Sequence, residues 1–289
     1  YSGDDTKGEY VYKFVPSGRF VAGADADNRR LLDEGTLYVA RFDADGSGEW
    51  LALVHGEHGL TAESGFPSQA EVLLNARAAA DRAGATPMDR PEWVAVHPHS
   101  REVYVTLTNN DGRGAKQPLD RANPRPNNLH GQILRWQEDG GDPTATRFEW
   151  EVFLLAGERS GARDAQGNPV AANLVGTIDG DCFSSPDGLA FDAAGRLWIE
   201  TDFDDDQPAM QAMGTNQLLC ADPVTREVRR FLVGPRGCEI TGITWSPDYR
   251  AMWVNVQHPG LSFPASDGQS RPRSSTVLIT KDDGGVIGS

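Results

Sequence analysis

The sequence predicts an all-β protein of the β-propeller class, and three observations carry that expectation. Short segments that alternate apolar and polar residues, each bounded by turn residues, recur along almost the whole chain. Two kinds of two-stranded unit alternate, which is the pattern of four-stranded blades. Only one stretch, residues 68–84, carries a helical period.

Strands are expected at residues 10–15, 35–43, 49–54, 93–97, 102–108, 131–137 and 148–156. They continue at 188–192, 196–201, 217–222, 227–233, 242–246, 251–256 and 275–280. The helix "SQAEVLLNARAAADRAG" places Leu73, Leu74, Ala78 and Ala79 on one face, with Gly84 near its end. Polar tracts at 111–128 and 157–181 read as long loops, the kind of segment that carries function. "FDADGSGEW" lacks the length and closing Glu of a calcium loop and reads as a hairpin turn.

"PEWVAVHPHSREVYVTLTNN", "PDGLAFDAAGRLWIETDFD" and "TGITWSPDYRAMWVNVQHP" share one plan: a strand, a short turn, then a strand with an aromatic (Tyr104, Trp198, Trp253). Hairpins of a second kind lie between them. The count is about four blades, three well marked and one partial, over a single domain of residues 1–289. That is too few to close a ring. The first strand also follows closely on Tyr1, so further N-terminal blades are expected outside this chain or on another one.

Stacking the repeats on Trp93, Gly188 and Gly242 aligns Glu92, Asp187 and Thr241, and two residues earlier Arg90, Ser185 and Glu239. Positions two apart share a strand face. On an innermost strand, Arg90, Glu92, Asp187 and Glu239 therefore converge at one mouth of the channel. Thr108, Asp202 and Gln257 occupy equivalent places at the ends of the following strands.

Converging carboxylates repel unless a cation joins them, and an oxygen-only set suits a hard ion. The alternative is that each acid caps a neighbouring turn. Arg90 either neutralises these acids or clamps a phosphate or carboxylate with its planar fork. Glu9 and Lys13 share a strand face just after Asp4 and Asp5; they form either a surface ion-pair ladder or a second contribution to the same site. His130 and His258 are weaker metal or acid–base candidates, and Asn127 and Asn128 read as turn residues.

The bulk properties exclude several classes. The net charge of −15 across 289 residues, with no basic stripe, argues against nucleic-acid binding. No apolar run is long enough to span a membrane. No Walker-type phosphate loop or GxSxG elbow stands where one would work. Cys182, Cys220 and Cys238 are too scattered for a disulfide framework or a CxxC zinc site; buried free thiols are expected, or at most one bond, Cys182 with Cys220.

"EYVYKFV", "DRPEWVAVHP" with "VYVTLTNN", "NNLHGQILRW" with "FEWEVFLLAG", "SPDGLAFDAAGRLWI" and "RRFLVGPRGCEITGITWSPDYRAMWVNVQHPG" together resemble the PhoX-type bacterial alkaline phosphatases. The similarity runs in order through nearly the whole chain. It implies a six-bladed propeller, monomeric when complete, exported by the twin-arginine route to the periplasm or cell exterior. It also implies hydrolysis of phosphomonoesters by calcium and iron (Ca²⁺ and Fe³⁺) held in the channel. By the same resemblance Arg90 matches a phosphate-binding arginine and Glu92 a metal-ligand glutamate. Asp187 and Glu239 match channel acids that hold the metals, and Lys13 is a second phosphate contact with Glu9 and Asp5 close by. The family's N-terminal Cys-Glu-Glu stretch is absent, and none of the three cysteines matches it. Alone, the chain is therefore expected to lack a full metal set and to be inactive. Two other readings stay open: a calcium-dependent propeller lactonase or esterase, which "PDGLAFDAAGRLWI" also resembles, and a non-catalytic propeller that binds a partner at its channel mouth.

Overall fold

Period-two alternation along the chain builds antiparallel strands, described here in a computed structural model of residues 1–289. In order they are β1 (Ser2–Gly3), β2 (Val11–Pro16), β3 (Gly35–Phe42), β4 (Ser47–Ala52), β5 (Pro91–Val96), β6 (Val103–Leu107), β7 (Gln132–Glu138) and β8 (Arg147–Leu155). The second half adds β9 (Asp179–Gly180), β10 (Pro186–Phe191), β11 (Leu197–Thr201), β12 (Gln217–Ala221), β13 (Glu227–Val233), β14 (Glu239–Trp245), β15 (Ala251–Gln257) and β16 (Ser275–Thr280). All fourteen expected strands are present; β1 and β9 are two residues each and too short to show a period.

Four antiparallel units follow one another: β1 to β4, β5 to β8, β10 to β13, and β14 to β16. The first two join edge to edge through β4 and β8. β9 adds in parallel to β13. Neighbouring units bury apolar faces against each other. Phe42, Trp50, Trp136 and Phe148 fill the first seam, Tyr104, Phe153, Ile199 and Leu219 the second, and Trp198, Leu218, Ile240 and Val254 the third. The rings meet mostly edge to face, the favoured aromatic geometry. β1, β5, β10 and β14 are the inner strands of their units and lie side by side.

The seams are also tied by hydrogen bonds at one repeated position. The buried Thr106 hydroxyl accepts from Trp93 N at 2.9 Å and donates to the Asp187 carbonyl of the next unit at 2.7 Å. One unit on, the buried Glu200 carboxylate takes the equivalent place and faces the backbone of Gly242 and Ile243 in the next unit. A Cβ at Gly188 would collide with that carboxylate, so only glycine fits there.

The expected single helix over 68–84 is corrected to two, α2 and α3 by chain order after the short α1 (Asp25–Asn28): α2 (Gln69–Leu74) and α3 (Ala76–Ala83). Asn75, at φ −115° and ψ 43°, breaks the helical path and rotates the second piece. Val72, Ala79 and Ala80 are therefore buried against the first unit, whereas Leu73 and Leu74 face outward. The helices begin at a Ser68 cap, whose hydroxyl accepts from Glu71 N, and end at left-handed Gly84. All three cysteines are free, Cys238 fully buried and the other two half-buried.

Candidate active site

The repeat alignment has a physical basis in strand register. Pro91 pairs with Leu107, Pro186 with Thr201, and Ile240 with Val256, in equivalent places on three units. A bulge follows in each, directly after Pro91 and Pro186 and one residue later in the last unit. Such irregularities re-aim side chains at sheet rims. Arg90 and Ser185, just before their strands, both take left-handed backbone, at φ 60° and 49°. Each carbonyl accepts from the residue after the facing strand, Thr108 N and Asp202 N, both at 3.0 Å.

These turns gather five acids around one base. Arg90 Nε donates to Asp5 Oδ1 at 2.5 Å, and Nη2 reaches Asp202 Oδ2 at 3.2 Å. Asp187, Asp202 and Glu239, from the third and fourth units, bring a carboxylate oxygen each to within 4.8 Å of one another. Gln257 Nε2 donates to Glu239 Oε2 at 2.7 Å, and His258 Nε2 lies 3.3 Å from the same oxygen. Glu92 stands at the edge of the set, interacting with Asp5 and Asp187, and its buried Oε2 has no hydrogen-bond partner.

The electrostatics follow from burial. Desolvation, then the neighbouring charges of Glu92, Glu239 and Asp202, push the Asp187 carboxyl up to about 9. Desolvation, with Asp5 adding, pushes Glu92 up to about 7. Glu239 is also raised, by burial first and then by Asp202. Burial opposes the charge on Arg90, but its bonds to Asp5 and Asp202 outweigh that and hold it firmly charged. Behind the site Glu200 is pushed up to about 8 by burial, and its Oε1 is unpartnered.

This donor set fits a hard cation. Five carboxylates face one guanidinium, the ligand atoms that Asp187, Asp202 and Glu239 bring together are all carboxylate oxygens, and a buried Glu92 oxygen stands unpaired. A bound cation would lower all the raised acids at once. Beside Arg90 a cleft of about 240 Å³ opens, lined among others by Lys7, Asn109, Asp111, Ser185 and Gln207.

Of the residues expected from sequence, Asp5, Arg90, Glu92, Asp187 and Glu239 come together, and Glu9 and Lys13 do not. Lys13 lies between the first two units, 3% exposed, donating to Ala145 O at 2.7 Å and sitting 3.6 Å from Glu138. Burial, against the pull of Glu138, lowers its amine to about 8. Glu9 faces Arg77 on α3, as does Asp4, which is the ion-pair alternative for that strand. His130 is fully buried outside the cluster, bonded to Ser184 at 2.9 Å and lowered to about 4 by burial. Asp202 is the residue that sequence reasoning left without a role, although its place after β11 matches Thr108 and Gln257.

A ring of acids closed by an arginine stands at the inner end of the propeller strands, and its carboxylates could hold a metal ion. The chain belongs to the alkaline phosphatase PhoX family, whose model matches residues 1–260. It is 47% identical to Pseudomonas fluorescens PhoX, solved with vanadate as a transition-state analogue, at a TM-score of 0.90. That match covers 99% of this chain and 51% of the other, so the chain spans about half the length of that relative. A gluconolactonase from Xanthomonas campestris aligns at 18% identity and a TM-score of 0.30, over 67% of this chain and 59% of that one, too weakly to bear on the fold. No curated protein matches.

Proposed function

We propose that the protein hydrolyses phosphate monoesters to inorganic phosphate, with Arg90 binding the phosphoryl group and Glu92, Asp187, Asp202 and Glu239 holding the cations. The observation that carries this reading is the Arg90 guanidinium placed among acids from three units of the fold. A dianionic ester needs compensating positive charge as its P–O bond breaks. Arg90 supplies part of it as a planar fork matched to two phosphoryl oxygens. Asp5 and Asp202 keep that fork oriented, and the cleft beside it takes the alcohol portion of the ester. Bound cations would neutralise the carboxylates and activate an oxygen nucleophile at ordinary pH. Calcium suits this all-oxygen set, and ferric iron is the second ion the family resemblance implies. Lys13 and Glu9 have no part in this reading.

The same reading places the protein in the periplasm or outside the cell, as a monomer. No helix of the chain is long and apolar enough to cross a membrane.

Arg90→Ala in the complete protein tests the reading. Turnover of p-nitrophenyl phosphate should fall by about 10²–10³, the usual cost of one transition-state donor. Wild-type turnover in that variant would refute it.

A further inference from the structure

Directly before Arg90, Asp89 is fully buried, and every side-chain hydrogen bond it makes is directed at one loop. Its Oδ1 accepts from Arg113 Nε at 2.6 Å and from Asn110 Nδ2 at 2.9 Å, and its Oδ2 accepts from Asn128 Nδ2 at 2.8 Å. Its backbone N–H donates to Asn123 Oδ1 at 3.0 Å. Arg113 is equally buried and donates also to the carbonyls of Pro118 and Pro87, both at 2.8 Å. The N-terminal segment joins the same point: the backbone of Lys7 forms an isolated antiparallel β-bridge with that of Asp89, Gly8 N donates to Met88 O at 2.8 Å, and Lys7 Nζ meets Asp111 at 2.9 Å.

We infer that Asp89 is a positioning residue, whose carboxylate fixes Arg90 and the cleft wall at Asn109 and Asp111 relative to each other. This rests on the reading of Arg90 as the phosphate-binding group. Three features carry it. Arg90 holds a left-handed backbone that a non-glycine residue keeps only when its surroundings over-determine it, and the Asp89 network supplies that constraint one residue away. Asn110, the second arm of the network, lies between the two cleft residues Asn109 and Asp111. A buried ion pair also adds little stability over an apolar pair of the same volume, so core packing alone does not account for Asp89 and Arg113. What such a pair does provide is a fixed geometry.

The test compares Asp89→Asn with Leu134→Ala, a core change in the same unit, in the full chain, assayed well below both melting temperatures. The substrate is p-nitrophenyl phosphate, and inorganic phosphate is the competitive inhibitor. Displacing Arg90 should lower kcat/KM about tenfold or more and raise the phosphate Ki by a similar factor, since small displacements in a preorganised site cost that much. Leu134→Ala should lower the melting temperature and leave both constants within about twofold. Should Asp89→Asn not fold, Asn110→Ala removes one arm without stranding a charge and should raise the phosphate Ki about threefold. Wild-type Ki and kcat/KM in the folded Asp89 or Asn110 variant would overturn the inference. Arg90→Ala distinguishes the two failures: if it abolishes turnover while the Asp89 variant binds phosphate normally, only the positioning role falls.

Discussion

Arg90 and Asp202 come from different units of the propeller, yet Nη2 of one stands 3.2 Å from Oδ2 of the other. The contact exists because each residue occupies the channel end of its unit, Arg90 before an inner strand and Asp202 after the strand that pairs with the next one. Asp202 therefore faces two ways, toward the arginine and toward Asp187 and Glu239. Asp202→Asn keeps the shape and removes the charge. It should weaken both cation retention and phosphate inhibition by about 10–100-fold, the range seen when a supporting carboxylate of a metal site is lost. Metal content after dialysis and the phosphate Ki check the two effects separately.

Lys13 gives the opposite expectation. Its amine is enclosed with Glu138 between the first two units, away from Arg90. Lys13→Met strands a buried carboxylate, a change that typically costs about 3–5 kcal/mol. The melting temperature should drop clearly, while kcat/KM of the folded protein stays within about twofold. A large loss of kcat/KM at temperatures where the variant is fully folded would return Lys13 to the site.

The contrast between these two residues shows what was legible in the sequence. Arg90, Glu92, Asp187 and Glu239 stood out because three units repeat one register, so chain position translated directly into place in the fold. Lys13 and Glu9 were grouped with them by strand alternation alone, which says that side chains share a face but not what packs on it. The turn at 139–145 covers Lys13, and α3 presents Arg77 to Glu9. Both are long-range contacts that no local period encodes. The helix pattern over 68–84 failed for a similar reason: Asn75 breaks the path, so the buried face became Val72, Ala79 and Ala80. The Asp89 cluster was hidden because its partners at 110, 113, 123 and 128 lie in a loop without periodicity.

The cysteines offer an independent check on the packing. Burial pushes the Cys220 thiol up to about 11 and the Cys238 thiol up to about 12, so neither supplies thiolate at neutral pH. Without reductant, a disulfide-exchange reagent should label these two only after denaturation, when all three thiols titrate. A count of one in the unfolded protein would mean that a disulfide forms.

The strongest test of the acid cluster is how pH acts on the protein stripped of metal. Asp187, Glu92 and Glu200 all have folded pKa values raised by burial, to about 9, 7 and 8. Between the ordinary carboxylate range and those values the folded state binds more protons than the unfolded one. Stability must therefore fall as pH rises through that window. Lys13, lowered to about 8, acts in the opposite sense only above that pH; His130, His97 and the Tyr1 amine, also lowered by burial, oppose the acids below it but are outnumbered by the raised carboxyls. The melting temperature of the metal-free protein should decrease from pH 5 to pH 8. Added calcium should restore it at pH 8, where the carboxylates can ionise against the cation, and do little at pH 5, where protons compete for the same oxygens. A metal-free melting temperature that rises over this range, or a calcium effect equal at both pH values, would show that these acids do not form one cation site.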